Sequence, residues 1–387
     1  MHIKKISTGI ISFLMAAFLL MPCSFGAPQS ESGRAPVISA KGAVLLDASD
    51  GGLGVIFEKN AHARLPMAST TKIMTALVAI ENLPLSTVVD VSAAAVGVEG
   101  SSVYLTAGEH QTLEALLYAL MLESANDAAA AIAIAVAGSP EAFADMMNRR
   151  AAEMGLLDTH FVNPHGLDDP DHYTTAYDLA LIAREAFSNP DLCRIAGTYR
   201  SSMPLGDSDG ARLLINHNRL LRTYQGAIGG KTGFTKKSGR CLVTAAERDG
   251  LRLIAVTLSD PCDWDDHRSM LDHGFAAYEN ILLADAGELE YPISVTGGEQ
   301  NTVFAHNASA VRATLPRTHG TIDMIAELSD LAAAPVKRGD VLGLVRWTCD
   351  GREIAAAEIS AEYNAAQAKN KKSSLFEWIL SLFRLKI

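Results

Sequence analysis

Two apolar helical segments separated by one short polar turn constrain the fold of this chain more than any other feature. From Thr112 to Leu122, leucines recur at helical spacing, at positions 113, 116, 117 and 120. The segment Ala128 to Ala137 follows closely and is apolar on nearly every side. Because a helix that is apolar all round has to be buried, we expect it at the centre of a helical layer. The polar turn Glu123–Asp127 then lies between the two helices.

Strand patterns flank these helices on both sides in the sequence. Ala40–Asp47 and Gly54–Glu58 predict one hairpin, with turn residues between them. Arg240–Arg248 and Leu251–Ser259 predict a second hairpin, joined by the strong turn signal Asp249-Gly250. Further helices are predicted over Pro140–Met154, from Thr174 or Thr175 to about Phe187, and over His267–Leu282. The last of these is expected to return to the sheet of the hairpins.

The N-terminus has the pattern of a secretory signal peptide. A short basic region is followed by the uncharged apolar run Ile10–Met21 and by small residues at Ser24 and Gly26. We therefore predict a signal peptide over residues 1–26 and an exported protein. A retained N-terminal membrane helix and a lipoprotein anchored at Cys23 are the alternatives.

The composition changes near Leu283. Short strand-like segments with turn residues between them predict a small β-rich domain over 283–366, after a first domain over 35–282. Residues 367–387 contain a basic linker and an apolar segment with one narrow polar face. This segment is too short to span a bilayer, so we expect an amphipathic helix that lies on the membrane surface. A helix packed on the protein itself is the alternative.

Charge and cysteine content bound the function further. The formal net charge of the 387 residues is −11, which gives no electrostatic support for nucleic-acid binding. The four cysteines after the signal peptide, Cys193, Cys241, Cys262 and Cys349, have neither Cys-x-x-Cys spacing nor paired histidines. We therefore predict no metal site, and small buried thiols or a single bridge rather than a disulfide framework. No cofactor is expected.

Three different short polar motifs lie along the predicted first domain. Ser69 and Lys72 open an apolar helix, where residues three apart share one face. A serine hydroxyl needs an adjacent base to act as a nucleophile, and a lysine can be that base if its pKa is lowered. Ser124 and Asn126 occupy the turn between the two apolar helices, and Lys231-Thr232-Gly233 opens a strand. Each motif is common alone, but this ordered trio is typical of penicillin-binding proteins and class A β-lactamases.

The chain resembles the low-molecular-mass penicillin-binding proteins that act as D-alanyl-D-alanine carboxypeptidases. The resemblance covers the chain from about Val37 to the tail, and its clearest segments are 66–76, 163–167, 172–180 and 231–235. It implies an α/β (α+β) serine DD-peptidase/β-lactamase-like domain, in which an antiparallel sheet has helices on both faces beside an all-helical region. The β-rich domain and the C-terminal amphipathic helix complete the family's pattern.

The resemblance also implies a role for each motif in the reaction. Ser69 attacks the carbonyl of the penultimate D-alanine, and Lys72 accepts its proton. Ser124 relays a proton to the leaving D-alanine, and Asn126 holds the lysine or the substrate amide.

The third motif then binds the substrate. Lys231 and Thr232 hold the terminal carboxylate, and the strand through Gly233 and Phe234 pairs with the peptide. The backbone N–H groups of Ser69 and Phe234 form the oxyanion hole. The implied partners are peptidoglycan pentapeptides ending in D-Ala-D-Ala, β-lactams as inhibitors, and the outer face of the cytoplasmic membrane, with no nucleic acid.

One position departs from the family's pattern. Ala125 stands between Ser124 and Asn126, where the family usually has glycine. Alanine disfavours a positive φ, so a left-handed backbone at this position would strain the turn.

Four other interpretations remain at this stage. A β-lactamase would need a Glu-x-x-Leu-Asn loop, and the nearest pattern, Glu185 with Asn189, has Ser188 in place of leucine. A non-catalytic peptidoglycan- or penicillin-binding protein would be expected to have lost one of the motif residues. A DD-endopeptidase is chemically close. A Ser-His-Asp triad would use a histidine and an aspartate from residues 165–178.

Overall fold

The computed structural model describes residues 35–206 and 209–368. The predicted signal peptide and the predicted amphipathic helix lie outside the described residues. Within them the chain divides into two compact units, 35–279 and 280–368. The predicted boundary lies between 282 and 283.

The first unit contains one large sheet, two small two-stranded sheets and eight helices among its described residues. Its strands are β1 (Gly42–Asp47), β2 (Gly54–Lys59), β3 (Val88–Asp90), β4 (His110–Thr112), β5 (Arg200–Pro204), β6 (Ala211–Ile215), β7 (Ala227–Thr235), β8 (Gly239–Arg248) and β9 (Leu251–Leu258). Its helices are α1 (Lys72–Asn82), α2 (Leu113–Leu122), α3 (Asn126–Ala137), α4 (Pro140–Glu153), α5 (Ala176–Ser188), α6 (Pro190–Gly197), α7 (Leu220–Thr223) and α8 (Asp263–Ala277).

The large sheet has five strands in the order β2-β1-β9-β8-β7, and every neighbouring pair is antiparallel. Both predicted hairpins are confirmed as β1–β2 and β8–β9. Alternate residues of β1 enter different cores: Val44 and Leu46 pack with the helices α1 to α6, and Ala43 and Leu45 pack with α8. Helices therefore cover both faces of the sheet, as predicted.

The apolar helices α2 and α3 form the centre of the helical region. Leu113, Leu116, Leu117 and Leu120 of α2 have no exposed surface. In α3, residues 128–133 are all buried. The expected central position of the alanine-rich helix is therefore confirmed. The C-terminal end of α2 and the N-terminal end of α3, which form the turn between these helices, are buried as well.

Two helix predictions need correction. Helix α8 runs from Asp263 to Ala277, and a strand replaces the predicted continuation to Leu282. Acidic residues in its first turn favour the earlier start because they face the positive end of the helix dipole. Helix α6 was missed: Asn189-Pro190 ends α5, but Asn189 also caps α6 through the N–H groups of residues 191 and 192.

The second unit is β-rich, as predicted. Its strands are β10 (Tyr278–Ala284), which begins at the boundary, β11 (Glu290–Thr296), β12 (Thr302–Asn307), β13 (Val311–Pro316), β14 (Ile322–Leu328), β15 (Leu331–Ala333), β16 (Val341–Cys349) and β17 (Arg352–Ala361). A six-stranded sheet has the order β14-β16-β17-β12-β11-β15, and β10 pairs with β13. Strands β14 and β15 were not among the predicted strands.

Three surveys of residues 35–206 and 209–368 bear on location and on metal binding. No single helix is long and apolar enough to cross a membrane, and α3 with α4 passes that test only as a pair bent by 80°. No group of three or more His, Cys, Asp or Glu side chains could hold a metal ion. The four described cysteines form no disulfide, and Cys262 is exposed rather than buried.

Candidate active site

Ser69 lies in a tight turn just before α1. Residues 68–71 form a single 3₁₀ turn, and α1 begins at Lys72. The hydroxyls of Thr70 and Thr71 donate to the carbonyls of Met67 and Ala68 at 2.6 and 2.8 Å. These bonds fix the turn that presents Ser69, and the helix start expected at the Ser-x-x-Lys motif is confirmed.

The side chain of Lys72 reaches back to Ser69 and is completely buried. Its Nζ lies 3.0 Å from Ser69 Oγ, 2.6 Å from Asn126 Oδ1 and 2.6 Å from the backbone oxygen of His165. The amine of Lys72 thus contacts Ser69, Asn126 of the second motif and the backbone of His165.

Burial and a nearby positive charge make Lys72 a base. Burial lowers its pKa well below the ordinary 10.5, the charge of Lys231 lowers it further, and Asp127 opposes both effects. A neutral amine has two N–H donors and one lone pair. Asn126 Oδ1 and the His165 oxygen can only accept, so they take the two N–H groups. In this neutral form the lone pair is directed at Ser69, and the Ser69 hydroxyl is the donor; in the protonated form Lys72 donates to Ser69 Oγ instead.

Asn126 is itself held in one orientation. Its Nδ2 donates to the carbonyl of Glu99, and its backbone N–H donates to the carbonyl of Ser101 at 2.7 Å. Because the Glu99 carbonyl can only accept, the amide oxygen of Asn126 must face Lys72. The turn between α2 and α3 therefore aligns the base, as the position of the Ser-x-Asn motif suggested.

The unusual backbone of this turn lies at Ser124 and not at Ala125. Ser124 has a φ of +59°, whereas Ala125 has a φ of −65° and is fully buried. The alanine therefore causes no left-handed strain, and the concern raised by the departure from glycine does not apply. Any such strain falls on Ser124, where it costs about 1–2 kcal/mol.

Replacing Ala125 with glycine is accordingly expected to bring no gain in activity. We expect A125G to keep the rate of acylation by penicillin within about twofold of the wild-type rate. Its free energy of unfolding should fall by about 1 kcal/mol, because glycine has more freedom in the unfolded chain. Denaturant titration and a fluorescent-penicillin time course measure both effects. A clear rise in rate would mean that the alanine does strain the turn.

Lys231 enters the site from β7, an edge strand of the large sheet. Its side chain is 1% exposed, and Nζ donates to the backbone oxygen of Thr232 at 3.1 Å. Burial lowers the pKa of Lys231 to about 7, against the opposing effect of Glu123. In its protonated form this buried amine is well suited to an anionic ligand.

Gly233 brings β7 against the turn that holds Ser69. A Cβ at position 233 would lie 3.1 Å from each of three backbone atoms: Met67 O, Ser69 N and Thr70 N. A side chain here would force the strand or the turn to shift by a few tenths of an ångström. The next residue, Phe234, is 66% exposed at the open edge of the strand.

The loop 163–170 contributes a functional group that the sequence analysis missed. Its His165 carbonyl accepts from Lys72, and its Pro164 carbonyl accepts from the Thr75 hydroxyl at 2.6 Å. At its other end, Asp168 accepts from the Thr235 hydroxyl at 2.9 Å. A backbone carbonyl carries no sequence signal of its own, so only the fold reveals this contact.

The histidines of the Ser-His-Asp alternative have other partners. His172 Nδ1 accepts from the Val162 N–H at 3.1 Å, so in the neutral ring Nε2 donates to the Thr71 hydroxyl at 2.8 Å. Burial lowers the pKa of His172 to about 4 and that of His165 to about 3. Asp178 accepts from Thr159. These contacts stabilise the loop and leave Lys72 as the base beside Ser69.

The pattern considered for a β-lactamase is structural. Glu185 lies at the end of α5 and forms an ion pair with Arg150 at 2.6 Å. Asn189 caps α6. Both side chains thus stabilise helices.

Comparison with known proteins shows the family to which the chain belongs. Residues 29–262 match the model of a peptidase family described as D-alanyl-D-alanine carboxypeptidase. The chain is 31% identical over 375 residues to D-alanyl-D-alanine carboxypeptidase DacF of Bacillus subtilis, covering 94% of this chain and 95% of that protein. It is 31% identical over 356 residues to DacC of Escherichia coli, with 87% and 86% covered.

Solved structures show the same similarity. Penicillin-binding protein 5 of Haemophilus influenzae superposes with a TM-score of 0.71 at 27% identity, over 86% of this chain and 99% of that one. A peptidoglycan synthesis regulatory factor (PBP3) of Streptococcus pneumoniae gives a TM-score of 0.71 at 25% identity, over 85% and 100%. The similarity therefore extends through both compact units.

Proposed function

Since the chain belongs to the D-alanyl-D-alanine carboxypeptidase family of serine peptidases, we propose that it removes the terminal D-alanine of peptidoglycan pentapeptides through an acyl-enzyme on Ser69. The observation that carries this proposal is the contact set of Lys72. Lys72 Nζ lies 2.6 Å from each of two acceptors, Asn126 Oδ1 and the His165 oxygen, and 3.0 Å from Ser69 Oγ. A neutral amine that donates to the two acceptors directs its lone pair at the Ser69 hydroxyl.

Acylation follows from these contacts. Ser69 Oγ attacks the carbonyl carbon of the penultimate D-alanine while its proton passes to Lys72. The tetrahedral intermediate then collapses, the peptide C–N bond breaks, and the departing D-alanine nitrogen takes up a proton by way of Ser124. Water next hydrolyses the ester and regenerates the Ser69 hydroxyl. A β-lactam acylates Ser69 by the same route.

Substrate binding is assigned to β7. The terminal carboxylate of the peptide binds the ammonium of Lys231 and the hydroxyl of Thr232, and the peptide backbone pairs with the open edge of the strand. The N–H groups of Ser69 and Phe234 serve as the oxyanion hole. Their expected proximity is supported by the approach of Gly233 to the Ser69 nitrogen. One such donor typically contributes about 10²–10³ in rate.

Release of D-alanine from a peptide ending in D-Ala-D-Ala tests this proposal. The wild-type protein should release D-alanine, and the S69A variant should not. Release by S69A would refute the mechanism. A wild type that binds penicillin covalently but releases no D-alanine would favour a non-catalytic binding protein. Rapid turnover of penicillin instead of the peptide would favour a β-lactamase.

The two lysines predict a bell-shaped dependence of kcat/KM on pH. Lys72 acts as the neutral amine, so the rate rises with pH through its lowered pKa. Lys231 acts as the cation, so the rate falls as pH rises through about 7. A bound carboxylate raises the pKa of Lys231, and the alkaline limb of kcat should therefore lie at higher pH than that of kcat/KM. A kcat/KM that rises monotonically with pH would contradict the role of Lys231.

We also propose that the protein is exported and bound to the outer face of the cytoplasmic membrane. The support is the signal-peptide pattern of residues 1–26 and the amphipathic pattern of the last residues. A variant ending at residue 368 should move from the membrane to the soluble fraction and keep its activity. If that variant stays with the membrane, the C-terminal segment is not the anchor.

A further inference from the structure

Glu123 is a charged residue beside the site that the mechanism above does not use. It ends α2 and directly precedes Ser124, and its side chain is 26% exposed. One carboxylate oxygen accepts the backbone N–H of Ile215 at 2.6 Å. The other lies 3.4 Å from His217 Nε2. The carboxylate therefore ties the Ser124 turn to a segment that comes much later in the chain, residues 215–218.

The 215–218 segment is in turn packed against β7. Asn218, which is completely buried, accepts the Leu220 N–H at 3.1 Å. Its Nδ2 lies so close to Gly230 that a Cβ at that position would be only 2.8 Å away. Gly230 directly precedes Lys231. The contacts thus run from the Ser124 turn through Glu123 and the 215–218 segment to the strand that carries Lys231.

The position of Ser124 makes such a tether necessary. Its φ of +59° is unfavourable for a residue with a side chain. Strained backbone of this kind persists only where the surrounding contacts hold it. The N–H of Ala125 donates to the carbonyl of Ala119, and the N–H of Asn126 donates to the carbonyl of Ser101. Glu123 adds the contacts with Ile215 and His217.

The groups whose charges act on Lys231, directly or through Lys72, come from α1, α2 and α3. The Lys72 amine faces it from α1, and Asp127 of α3 acts on Lys72. The partner of Lys231 in β8 is the apolar Val243. Glu123 is the carboxylate that favours the charged form of Lys231, against its burial. His217 is the only cationic candidate placed beside Glu123 by the ion pairs of the described residues.

We propose that Glu123 is a positioning residue for the reaction: it holds the Ser124 turn against the segment that leads to Lys231, and its negative charge balances the ammonium that binds the substrate's carboxylate. This inference rests on the proposed function. It adds a role to a residue outside the three motifs, and it links the second motif to the third.

Two variants separate the two parts of this role. E123Q keeps an oxygen that can accept the Ile215 N–H but removes the charge, and E123A removes both. The matched control is E114Q on the same helix, because Glu114 forms an exposed ion pair with Arg194 at 2.8 Å. The readouts are the rate constant of acylation by a fluorescent penicillin and the steady-state constants on a D-Ala-D-Ala peptide, across a wide pH range.

For E123Q we expect the alkaline limb of kcat/KM to move to lower pH by about half a unit to one unit. This corresponds to a loss of roughly threefold to tenfold on that limb. The effect should fall mainly on KM, since the bound carboxylate restores the charge of Lys231. E123A should show the same shift and also a lower maximum rate, and E114Q should match the wild type. A melting curve shows whether each variant folds. If E123A does not fold, the proposal is tested with E123Q alone.

If the alkaline limb of kcat/KM lies at the same pH in E123Q as in the wild type, the proposed role of the Glu123 charge is wrong. An unchanged maximum in folded E123A would overturn the positioning role. Failure of the proposed function looks different: the wild-type protein would then release no D-alanine from the D-Ala-D-Ala peptide at any pH. A pH shift in the variants is measurable only where the wild type reacts, so the two failures are distinguishable.

Discussion

Replacing Lys72 with arginine is expected to lower the rate constant of acylation by penicillin by at least about 10³, within the range for loss of a general base. A guanidinium stays protonated in proteins, so it has no lone pair to accept the proton of Ser69. It would also place a permanent charge in a fully buried site beside Lys231. Kinetics with a fluorescent penicillin measure the loss directly.

The matched control for this variant is K236R. Lys236 is exposed and lies in the turn after β7, so the same chemical change there should leave the rate unchanged. If K72R kept more than about a tenth of the wild-type rate, another group would have to accept the proton, and the role assigned to Lys72 would be wrong.

Replacing Gly166 with alanine is expected to damage both stability and activity. Gly166 has a φ of +89°, and a Cβ there would overlap the carbonyl of Ala68, in the turn that presents Ser69. The left-handed backbone alone costs about 1–2 kcal/mol, and relief of the overlap must move the loop or the turn. Because the neighbouring His165 carbonyl orients Lys72, a displacement of about 1 Å should lower the acylation rate by about 10².

A second glycine isolates the cost of the backbone conformation. Gly54 has a φ of +84°, but a Cβ there would meet nothing within 4 Å. G54A should therefore lose a similar amount of stability from the left-handed backbone and keep full activity. The comparison uses denaturant titration and the acylation rate of both variants. Equal behaviour of G166A and G54A would mean that the loop does not press on the nucleophile turn.

The elements with strong local patterns were predictable from the sequence. The leucine repeat of α2, the alanine run of α3 and the turn at Asp249-Gly250 each specify one structure locally, and each was found where expected. Ser69, Lys72 and Asn126 were also predicted to share a site, and the structure joins them through Lys72 Nζ. That prediction came from the order of the three motifs along the chain and from the family resemblance.

Other features depend on tertiary contacts that no local pattern reports. The His165 carbonyl orients Lys72, but any residue has a carbonyl, and only the fold decides which one faces the amine. The left-handed residue of the Ser-x-Asn turn is Ser124, although the residue types drew attention to Ala125. Asn189-Pro190 marked the end of α5 correctly and concealed the start of α6, because a cap and a proline are compatible with both.

The role of Glu123 belongs to the same class of features. In the sequence, Glu123 directly precedes Ser124 and has the pattern of an ordinary polar residue at a helix end. Its contacts with Ile215 and His217 become visible only once β6 and the segment after it are placed beside α2. Charge balance in the site therefore comes from sequence positions far apart.

The central claim is that Ser69 forms the acyl-enzyme, with Lys72 as its base. Peptide mapping by mass spectrometry after penicillin treatment tests it most directly. The account predicts one covalent adduct, on the peptide that contains Ser69, and no adduct in the S69A variant. An adduct on Ser124 or on any other residue, or persistence of the adduct in S69A, would contradict it.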